Sequence, residues 1–360
     1  MIDKDLLNIE WINTVSVNHG NADPILVEKV IRAFLLLEGL QESGINFVFK
    51  GGTALMLHFE NAHRLSIDID IVTQEEIDFH SVFHTFLINR HFTRFEENIR
   101  TSTSSINKSH YKLFYMPTYT GGGAEGQILL DIVYAPQLYT NLENLTIQSS
   151  FIPSTGESLR VRVPSKEDLL GDKLTAFAPN TTGIPYKTPT GIGKEMEIIK
   201  QLYDIGKLFD SIENMATVLS AFSSNAITQL CYSGLGDNPA IVLHDIINTS
   251  LILSLRGGED RKQFESLQEG IIRVKSFIFS ESYYLDRAIS DASKAAYLSS
   301  LILSKITILE RFTDVAQVEG LEIKDPITNK LNKLKKVNPE AFFYWCKTSE
   351  LYIPGPPLTP

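Results

Sequence analysis

The sequence predicts an α+β protein in which a domain of mixed sheet and helices is followed by an all-helical domain. In the first half, runs rich in strand-forming residues alternate with helical patterns. From Pro164 onwards, apolar residues recur at helical spacing over long segments. A chain of 360 residues is also longer than one ordinary core accommodates. The domains we expect are 1–164 (mixed), 165–345 (helical) and a proline-rich tail, 346–360.

The first half of the chain contains both kinds of element. A helix is expected from Pro24 because apolar side chains recur at helical spacing and proline suits a first helical turn. The strand run INFVF ends where Gly51 and Gly52 follow. The expected elements, in order, are a helix over 24–43, a strand over 45–49, a helix over 53–60, a strand over 65–72, a helix over 76–90 and strands over 109–116 and 127–135.

The second half shows helical patterns throughout. The tail IPGPPLTP cannot continue a helix, because proline lacks the N–H group that a helix needs. The expected helices are 166–178, 195–213, 215–231, 239–256, 260–280 and 284–312.

The composition narrows the functional classes. No apolar run is long enough to span a bilayer, and the acidic N-terminus lacks the layout of a secretory signal. Two distant cysteines, Cys231 and Cys346, do not suggest a disulfide framework, so we expect a cytoplasmic protein without membrane contact. The net charge of −10 argues against a non-specific nucleic-acid binder, although a local basic groove can still bind RNA.

A glycine turn is the first candidate for chemistry. In FVFKGGTALML, Gly51 and Gly52 separate a predicted strand from a helix that begins at Thr53. Glycine lets a ligand approach the main chain, and the free N–H groups of a helix's first turn favour phosphate. The turn therefore predicts a phosphate cradle. The alternative is a tight turn whose glycines serve only its geometry.

Two aspartates alternate with isoleucines in RLSIDIDIV. In a strand, Ser66, Asp68 and Asp70 share one face and the isoleucines share the other. At about 6 Å and an effective dielectric near 20, the two carboxylates repel each other by about 3 kcal/mol. A divalent cation removes that penalty, and carboxylates suit Mg²⁺, whose other ligands are often water and substrate phosphates. The pattern favours a nucleoside-triphosphate site; an exposed edge strand with two harmless aspartates is the alternative.

A third carboxylate, Asp131, lies in the middle of the apolar run QILLDIVYA. A buried, isolated carboxylate is costly and needs a cation or hydrogen-bond donors. If this strand lies beside the strand that carries Asp70, both carboxylates can face the same metal ion. The alternative is a buried aspartate that backbone donors satisfy.

The order of these motifs resembles the DNA polymerase β-like nucleotidyltransferase superfamily, in which a glycine turn precedes an Asp-x-Asp pair and a third acid follows on a later strand. More narrowly, FVFKGGTALML followed by RLSIDIDI is similar to the AbiEii/AbiGii toxin family, which includes the MenT-type toxins. That family carries a lysine and an aspartate on two later helices, and PSKEDLLGDKLTAF and QLYDIGKLFD match those blocks. The resemblance covers roughly residues 25–210 and implies a polymerase β-like fold for the N-terminal domain.

The two helical blocks add Lys173 and Asp204 to the candidate site. Lys173 falls within an apolar stripe, so its ammonium should reach toward an anion; a surface lysine is the alternative. Asp204 lies off the apolar face of its helix beside Lys200 and Lys207, and spacing alone predicts surface ion pairs. The resemblance instead implies that Lys173 contacts nucleotide phosphate and that Asp204 has a catalytic or nucleotide-contacting role.

The resemblance implies a Mg²⁺-dependent toxin of a type IV toxin–antitoxin or abortive-infection system, with an antitoxin as partner. It would transfer a nucleoside monophosphate from an NTP to RNA, most specifically to the 3′ end of tRNA. The expected metal ligands are Asp68, Asp70 and Asp131. The expected nucleotide contacts are Gly51, Gly52, Thr53, Ser66 and Lys173. The residues with an expected catalytic role are Asp68, Asp70, Asp131, Lys173 and Asp204.

Some interpretations remain open at this point. Ser66 matches a serine at which MenT-like relatives can be silenced by phosphorylation, and a phosphate there would compete for the cation. A small-molecule nucleotidyltransferase of the antibiotic-modifying type fits the acidic charge better than RNA does. A catalytically inactive protein that docks an antitoxin is the third interpretation. The candidates for a basic channel to RNA are Lys187, Lys194, Lys200, Lys207 and the cluster at 329–337.

Overall fold

The computed structural model describes residues 1–3, 7–59, 63–98, 107–121, 123–136, 139–325 and 328–351. These residues form two compact units. The first unit consists of Met1–Ser165 together with Ser276–Ser282, and the second of Lys166–Lys275 and the described residues from Tyr283 onwards. The α+β class predicted from the sequence is confirmed.

The first unit carries the sheet. Among its described residues, five strands form one mixed sheet in the order β1-β2-β5-β4-β3, and β6 pairs with β7. The elements, in chain order, are α1 (Ile9–Asn18), α2 (Pro24–Glu42), β1 (Val48–Lys50), α3 (Gly51–His58), β2 (Ile69–Thr73), α4 (Phe79–Phe86), β3 (Arg94–Glu97), β4 (Asn107–Tyr115), β5 (Gly126–Tyr134), β6 (Leu142–Thr146) and β7 (Arg160–Pro164).

Side-chain alternation along the central strands gives the sheet one buried face and one polar face. Ile69 and Ile71 of β2 have no solvent exposure, and neither do Leu130 and Ile132 of the neighbouring β5. They belong to a core that includes Phe34 of α2. Residues one position away on β2 and β5 point to the opposite face, and that face carries the candidate site.

The segment before β2 differs from the prediction. The predicted strand 65–72 begins only at Ile69, because the preceding residues bond to a distant part of the chain. The amide of Leu65 donates to the carbonyl of Phe277 at 2.7 Å, and Arg64 forms an isolated β-bridge with Ile278. Asp68 therefore lies just before β2 rather than inside a strand.

The described part of the second unit is helical: six helices lie where the sequence predicts them, and further helical elements follow. Its α-helices are α5 (Lys166–Ala176), α6 (Glu195–Ser211), α7 (Met215–Ser233), α8 (Ala240–Ser254), α9 (Arg261–Val274), α10 (Leu285–Leu303), α11 (Leu334–Val337) and α12 (Pro339–Leu351). None of the described helices is long and apolar enough to cross a bilayer.

Three boundaries in this half differ from the prediction. The helix predicted over 260–280 ends at Val274, and residues 276–282 join the first unit instead. The helix predicted over 284–312 ends at Leu303. The first residues of the predicted tail, 346–351, are the end of α12, and residues 352–360 lie outside the described residues.

Candidate active site

Four residues from four strands lie side by side on the polar face of the sheet. Lys50 of β1 pairs with Asp70 of β2, Asp70 pairs with Asp131 of β5, and Asp131 pairs with His110 of β4. Directly paired residues on strands about 5 Å apart project to the same side of a sheet. We call these four residues the transverse row. The row makes the Asp70 and Asp131 carboxylates neighbours.

The Asp131 carboxylate is held by His110. The distance between His110 Nδ1 and Asp131 Oδ1 is 2.6 Å, so a ring nitrogen contacts this carboxylate. About a third of the Asp131 side chain (35%) is exposed, which leaves it accessible to a ligand. Two carboxylates about 5 Å apart repel each other by about 3 kcal/mol at an effective dielectric of 20. Lys50, at one end of the row, is placed to offset part of that repulsion.

A second lysine shares the face of the row. Lys108 precedes His110 by two residues on β4, so both side chains point to the same side. Although part of Lys108 is exposed, neighbouring groups remove water from its ammonium, and this desolvation lowers the pKa of Lys108. The positive charge of Lys50 lowers the pKa further, whereas Asp131 opposes the shift. Lys108 and Lys50 are therefore close enough to repel each other.

The glycine turn lies directly against Asp70. Gly51 begins α3 with a φ of +80°, which L side chains rarely adopt. A Cβ added to Gly51 would stand 3.1 Å from Asp70 Cβ and would overlap the Asp70 carboxylate. Only glycine therefore lets this carboxylate approach the main chain at the start of the helix. Lys50 is the N-cap residue of α3 and makes no side-chain cap hydrogen bond.

Two polar side chains lie directly against Gly52. A Cβ added to Gly52 would stand 2.6 Å from Arg64 Nη2 and 2.8 Å from Ser66 Oγ. Arg64 is buried, and its Nη1 donates to the Leu65 carbonyl at 3.0 Å. The glycine turn is thus surrounded by a carboxylate, a guanidinium and a hydroxyl. A guanidinium beside main-chain N–H groups is chemically suited to a phosphate.

Thr53 has a different contact from the one expected. Its side chain is fully buried, and its hydroxyl donates to the main-chain carbonyl of Asp68 at 2.6 Å. The resemblance implies a nucleotide contact for Thr53. In the structure this hydroxyl bonds to the main chain at Asp68, so Thr53 links α3 to the residue just before β2.

The two helical blocks meet inside the second unit. Lys173 Nζ lies 2.9 Å from Asp204 Oδ2 and donates to Gln201 Oε1 at 2.9 Å. The side chains of Lys173 and Asp204 are 7% and 3% exposed, so the expectation that Asp204 forms surface ion pairs is wrong. The reason is that α6 packs against α5, α9 and α10, which buries faces of the helix beyond its apolar stripe. The anion toward which Lys173 reaches is Asp204.

The lysines proposed for a basic channel have contacts of their own in this unit. Lys194 lies 3.6 Å from Glu197, and Lys335 donates to the carbonyl of Leu321 at 3.0 Å. Glu197 offsets the charge of Lys194, whereas the carbonyl partner of Lys335 leaves the charge of that lysine in place.

Sequence reasoning missed Lys108, His110 and Arg64. The alternation Lys-Ser-His-Tyr-Lys over 108–112 was a signal for the first two, because it places basic side chains on one face of a predicted strand. That signal becomes meaningful only with the register that sets His110 opposite Asp131.

The donor set fits a hard divalent cation. In the part of the chain that the structure describes, no three or more His, Cys, Asp and Glu side chains form a ready metal cluster. Mg²⁺ does not need one, since it commonly takes one or two protein carboxylates and completes its shell with water and substrate phosphates. Asp70 and Asp131 are such a pair.

Carboxylates on adjacent strands, next to a glycine turn that opens a helix, place the protein among the nucleotidyltransferases. The family comparison narrows this class. The model of the family described as nucleotidyl transferase AbiEii toxin, type IV TA system, matches residues 35–263, and the chain belongs to this family. The protein is therefore a nucleotidyl transferase and a toxin of a type IV toxin–antitoxin system.

Solved structures give more distant likenesses. JHP933 from Helicobacter pylori is 14% identical over 81% of this chain and 93% of that chain, with a TM-score of 0.40. An antigenic nucleotidyltransferase-like protein from Paracoccidioides brasiliensis is 15% identical over 53% of this chain and 78% of that chain, with a TM-score of 0.32. At these TM-scores neither likeness defines the fold or the site. Comparison with curated proteins gives no match.

Proposed function

We propose that this toxin transfers a nucleoside monophosphate from an NTP to the 3′ end of an RNA, and that this RNA is a tRNA. The observation that carries the proposal is the pairing of Asp70 with Asp131 across β2 and β5, directly beside Gly51. This arrangement supports a site in which the triphosphate binds at the glycine turn, next to the two carboxylates. The resemblance of the motifs supports RNA as the acceptor.

Mg²⁺ is the cofactor that the donor set favours. Asp70 and Asp131 would hold it, and Asp68 joins them on the strength of the resemblance. When bound, the ion supplies charge stabilisation for the phosphoryl oxygens during the displacement.

The chain's own residues account for the rest of the site. Main-chain N–H groups at Gly51 and Gly52 bind the outer phosphates at the start of α3, and Arg64 adds a positive charge there. The acceptor hydroxyl attacks the α-phosphorus, the new O–P bond forms, and the bond to the β-phosphate breaks to release pyrophosphate. Asp131 assists the loss of the hydroxyl proton. Ser66, beside Gly52, contacts the nucleotide in this proposal.

Lys173 and Asp204 belong to the second unit, and their part in the reaction is proposed from the resemblance alone. The resemblance assigns Lys173 a contact with nucleotide phosphate and Asp204 a catalytic or nucleotide-contacting role. Within the second unit, the Asp204 carboxylate orients the Lys173 ammonium that it pairs with.

The test is a labelling experiment with purified protein, each of the four labelled NTPs, Mg²⁺ and total tRNA. Wild-type protein is expected to label tRNA, and Asp70→Asn to lower the rate by at least about 100-fold, since it removes a charge at the reacting centre. Asp237→Asn is the matched control, because Asp237 is exposed and the charge change is the same. Absence of label in the wild type, or equal labelling by Asp70→Asn, would refute the proposal.

A small-molecule acceptor is the second candidate function. The observation that favours it is the net charge of −10, which attracts cationic acceptors more readily than RNA. The same labelled NTPs with a panel of aminoglycoside-type polyamines test it. Label on a polyamine but not on tRNA would favour this candidate.

A further inference from the structure

The direction from which the acceptor arrives follows from the sheet order. In phosphoryl transfer the attacking and leaving oxygens lie roughly in line, on opposite sides of the transferred phosphorus. The glycine turn that would bind the departing phosphates adjoins β1, on one side of Asp70. In the order β1-β2-β5-β4, β4 lies on the other side, beyond Asp131. This order places β4 on the side of Asp70 opposite to the glycine turn, where an in-line acceptor would lie.

The face that β4 presents on this side is basic. Lys108, His110 and Lys112 alternate along the strand and share the face of Asp131. Lys108 is exposed and Lys112 is half-buried. At about 3.4 Å per residue, the two lysines are separated by about 14 Å along the strand, with His110 between them.

The acidic side chains of Glu96 and Glu125 beside β4 both bind Arg94, and the three groups together carry one negative charge. Glu96 of β3 pairs with Lys112 in register, but its carboxylate is bound by Arg94. Arg94 is itself occupied by Glu125 at 2.8 Å. In the residues that the structure describes, no carboxylate lies within ion-pair distance of Lys108 or Lys112. Lys108 is also opposed by the positive charge of Lys50, and an anion above β4 would relieve this repulsion.

We propose that β4 is the acceptor-binding strand, and that Lys108 and Lys112 contact phosphates of a single-stranded RNA whose 3′ end lies over Asp131. The proposal rests on the nucleotidyl-transfer function above and specifies its acceptor side. It favours a polyanion over an aminoglycoside-type acceptor, whose amines these lysines would repel. The position of His110, in contact with Asp131, places it beside the terminal ribose.

The test measures binding apart from catalysis. Full-length protein is titrated into a short 5′-fluorescein single-stranded RNA, without NTP and with EDTA, and anisotropy gives the affinity between 50 and 200 mM salt. The test variant is Lys108→Gln/Lys112→Gln, and Lys108→Arg/Lys112→Arg keeps the charges. The matched control is Lys262→Gln/Lys275→Gln, which removes two exposed lysines of α9 and its C-terminal end. Circular dichroism verifies that each variant is folded.

Each phosphate contact with single-stranded nucleic acid steepens the plot of log K against log salt by about 0.7. Loss of two contacts is expected to flatten the slope by about 1.4. Across this fourfold salt range the wild-type affinity should then fall about sevenfold more than that of the Gln/Gln variant. The Arg/Arg variant and the control should keep the wild-type slope. No RNA binding by the wild type, or equal slopes for wild type and the Gln/Gln variant, would overturn the assignment of β4.

A transfer assay separates this inference from the proposed function. If RNA binding depends on Lys108 and Lys112 but no label is transferred, the β4 assignment stands and the proposed reaction fails. If label is transferred and the KM for RNA is the same in wild type and the Gln/Gln variant, the reaction stands and the β4 assignment fails.

Discussion

Replacing Gly51 by alanine should damage catalysis far more than folding. The φ of +80° costs an L residue about 1–2 kcal/mol. The new Cβ would also overlap the Asp70 carboxylate, whose nearest oxygen must retreat by about 1 Å to restore ordinary contact at 3.4 Å. A displacement of about 1 Å at a reacting centre can cost about 100-fold in rate. We therefore expect kcat/KM for label transfer to fall about 100-fold.

Gly44→Ala is the matched control. Gly44 has a φ of +74°, and a Cβ there would meet nothing within 4 Å. The backbone cost is the same, whereas no functional group moves. Urea denaturation should show a loss of about 1–2 kcal/mol in Gly44→Ala and a loss about 1–3 kcal/mol greater in Gly51→Ala, where the overlap with Asp70 adds to the backbone cost. The transfer assay should show the rate loss in Gly51→Ala only. If the activity of Gly51→Ala stays within about threefold of Gly44→Ala, the contact with Gly51 does not place Asp70 for the reaction.

Three further predictions concern groups that the structure buries. Thr53→Val removes the hydroxyl that donates to the Asp68 carbonyl and should cost about 1–3 kcal/mol in urea denaturation; Thr53→Ser should stay near wild type, and equal losses would contradict the assigned bond. Asp204→Asn leaves the buried Lys173 ammonium without its carboxylate and should cost about 3–5 kcal/mol; wild-type stability would show that the pair contributes nothing. Burial raises the pKa of Asp291 from 3.8 to about 7, because the loss of hydration outweighs the effect of the nearby positive charges. The folded state therefore holds this proton more tightly than the unfolded state does. The stability that this group contributes below about pH 4 should be lost as the pH rises toward 7. In Asp291→Asn the urea midpoint should lack that pH dependence. Plots of the midpoint against pH that run parallel for the variant and the wild type would refute the prediction.

Local patterns in the sequence predicted much of the site. Alternation along RLSIDIDIV places Asp70 on the face opposite the isoleucines, and in β2 the half-buried Asp70 lies between the buried Ile69 and Ile71. The glycine pair predicted a strand-to-helix turn, and α3 begins at Gly51. Both are short-range properties, because a period of two residues or a single turn is set by neighbours in the chain.

Other features depend on contacts between distant parts of the chain. The contact of His110 with Asp131 depends on the register between β4 and β5, which no local pattern specifies. The burial of Asp204 depends on three helices around α6, so the apolar stripe of one helix underestimates how much of it is covered. The bond from the Thr53 hydroxyl to the Asp68 carbonyl joins residues 15 positions apart, and nothing in the sequence shows that they lie within reach of each other.

The first unit is completed by residues 276–282, which the chain supplies only after α9. Ser280 Oγ donates to the carbonyl of His63 at 2.8 Å, and the ring of Phe279 packs edge-on against Phe151. A gene fragment that stops at Ser165 would thus encode the sheet-containing unit without residues 276–282. Recombination at that boundary would separate His63 and Phe151 from their partners Ser280 and Phe279.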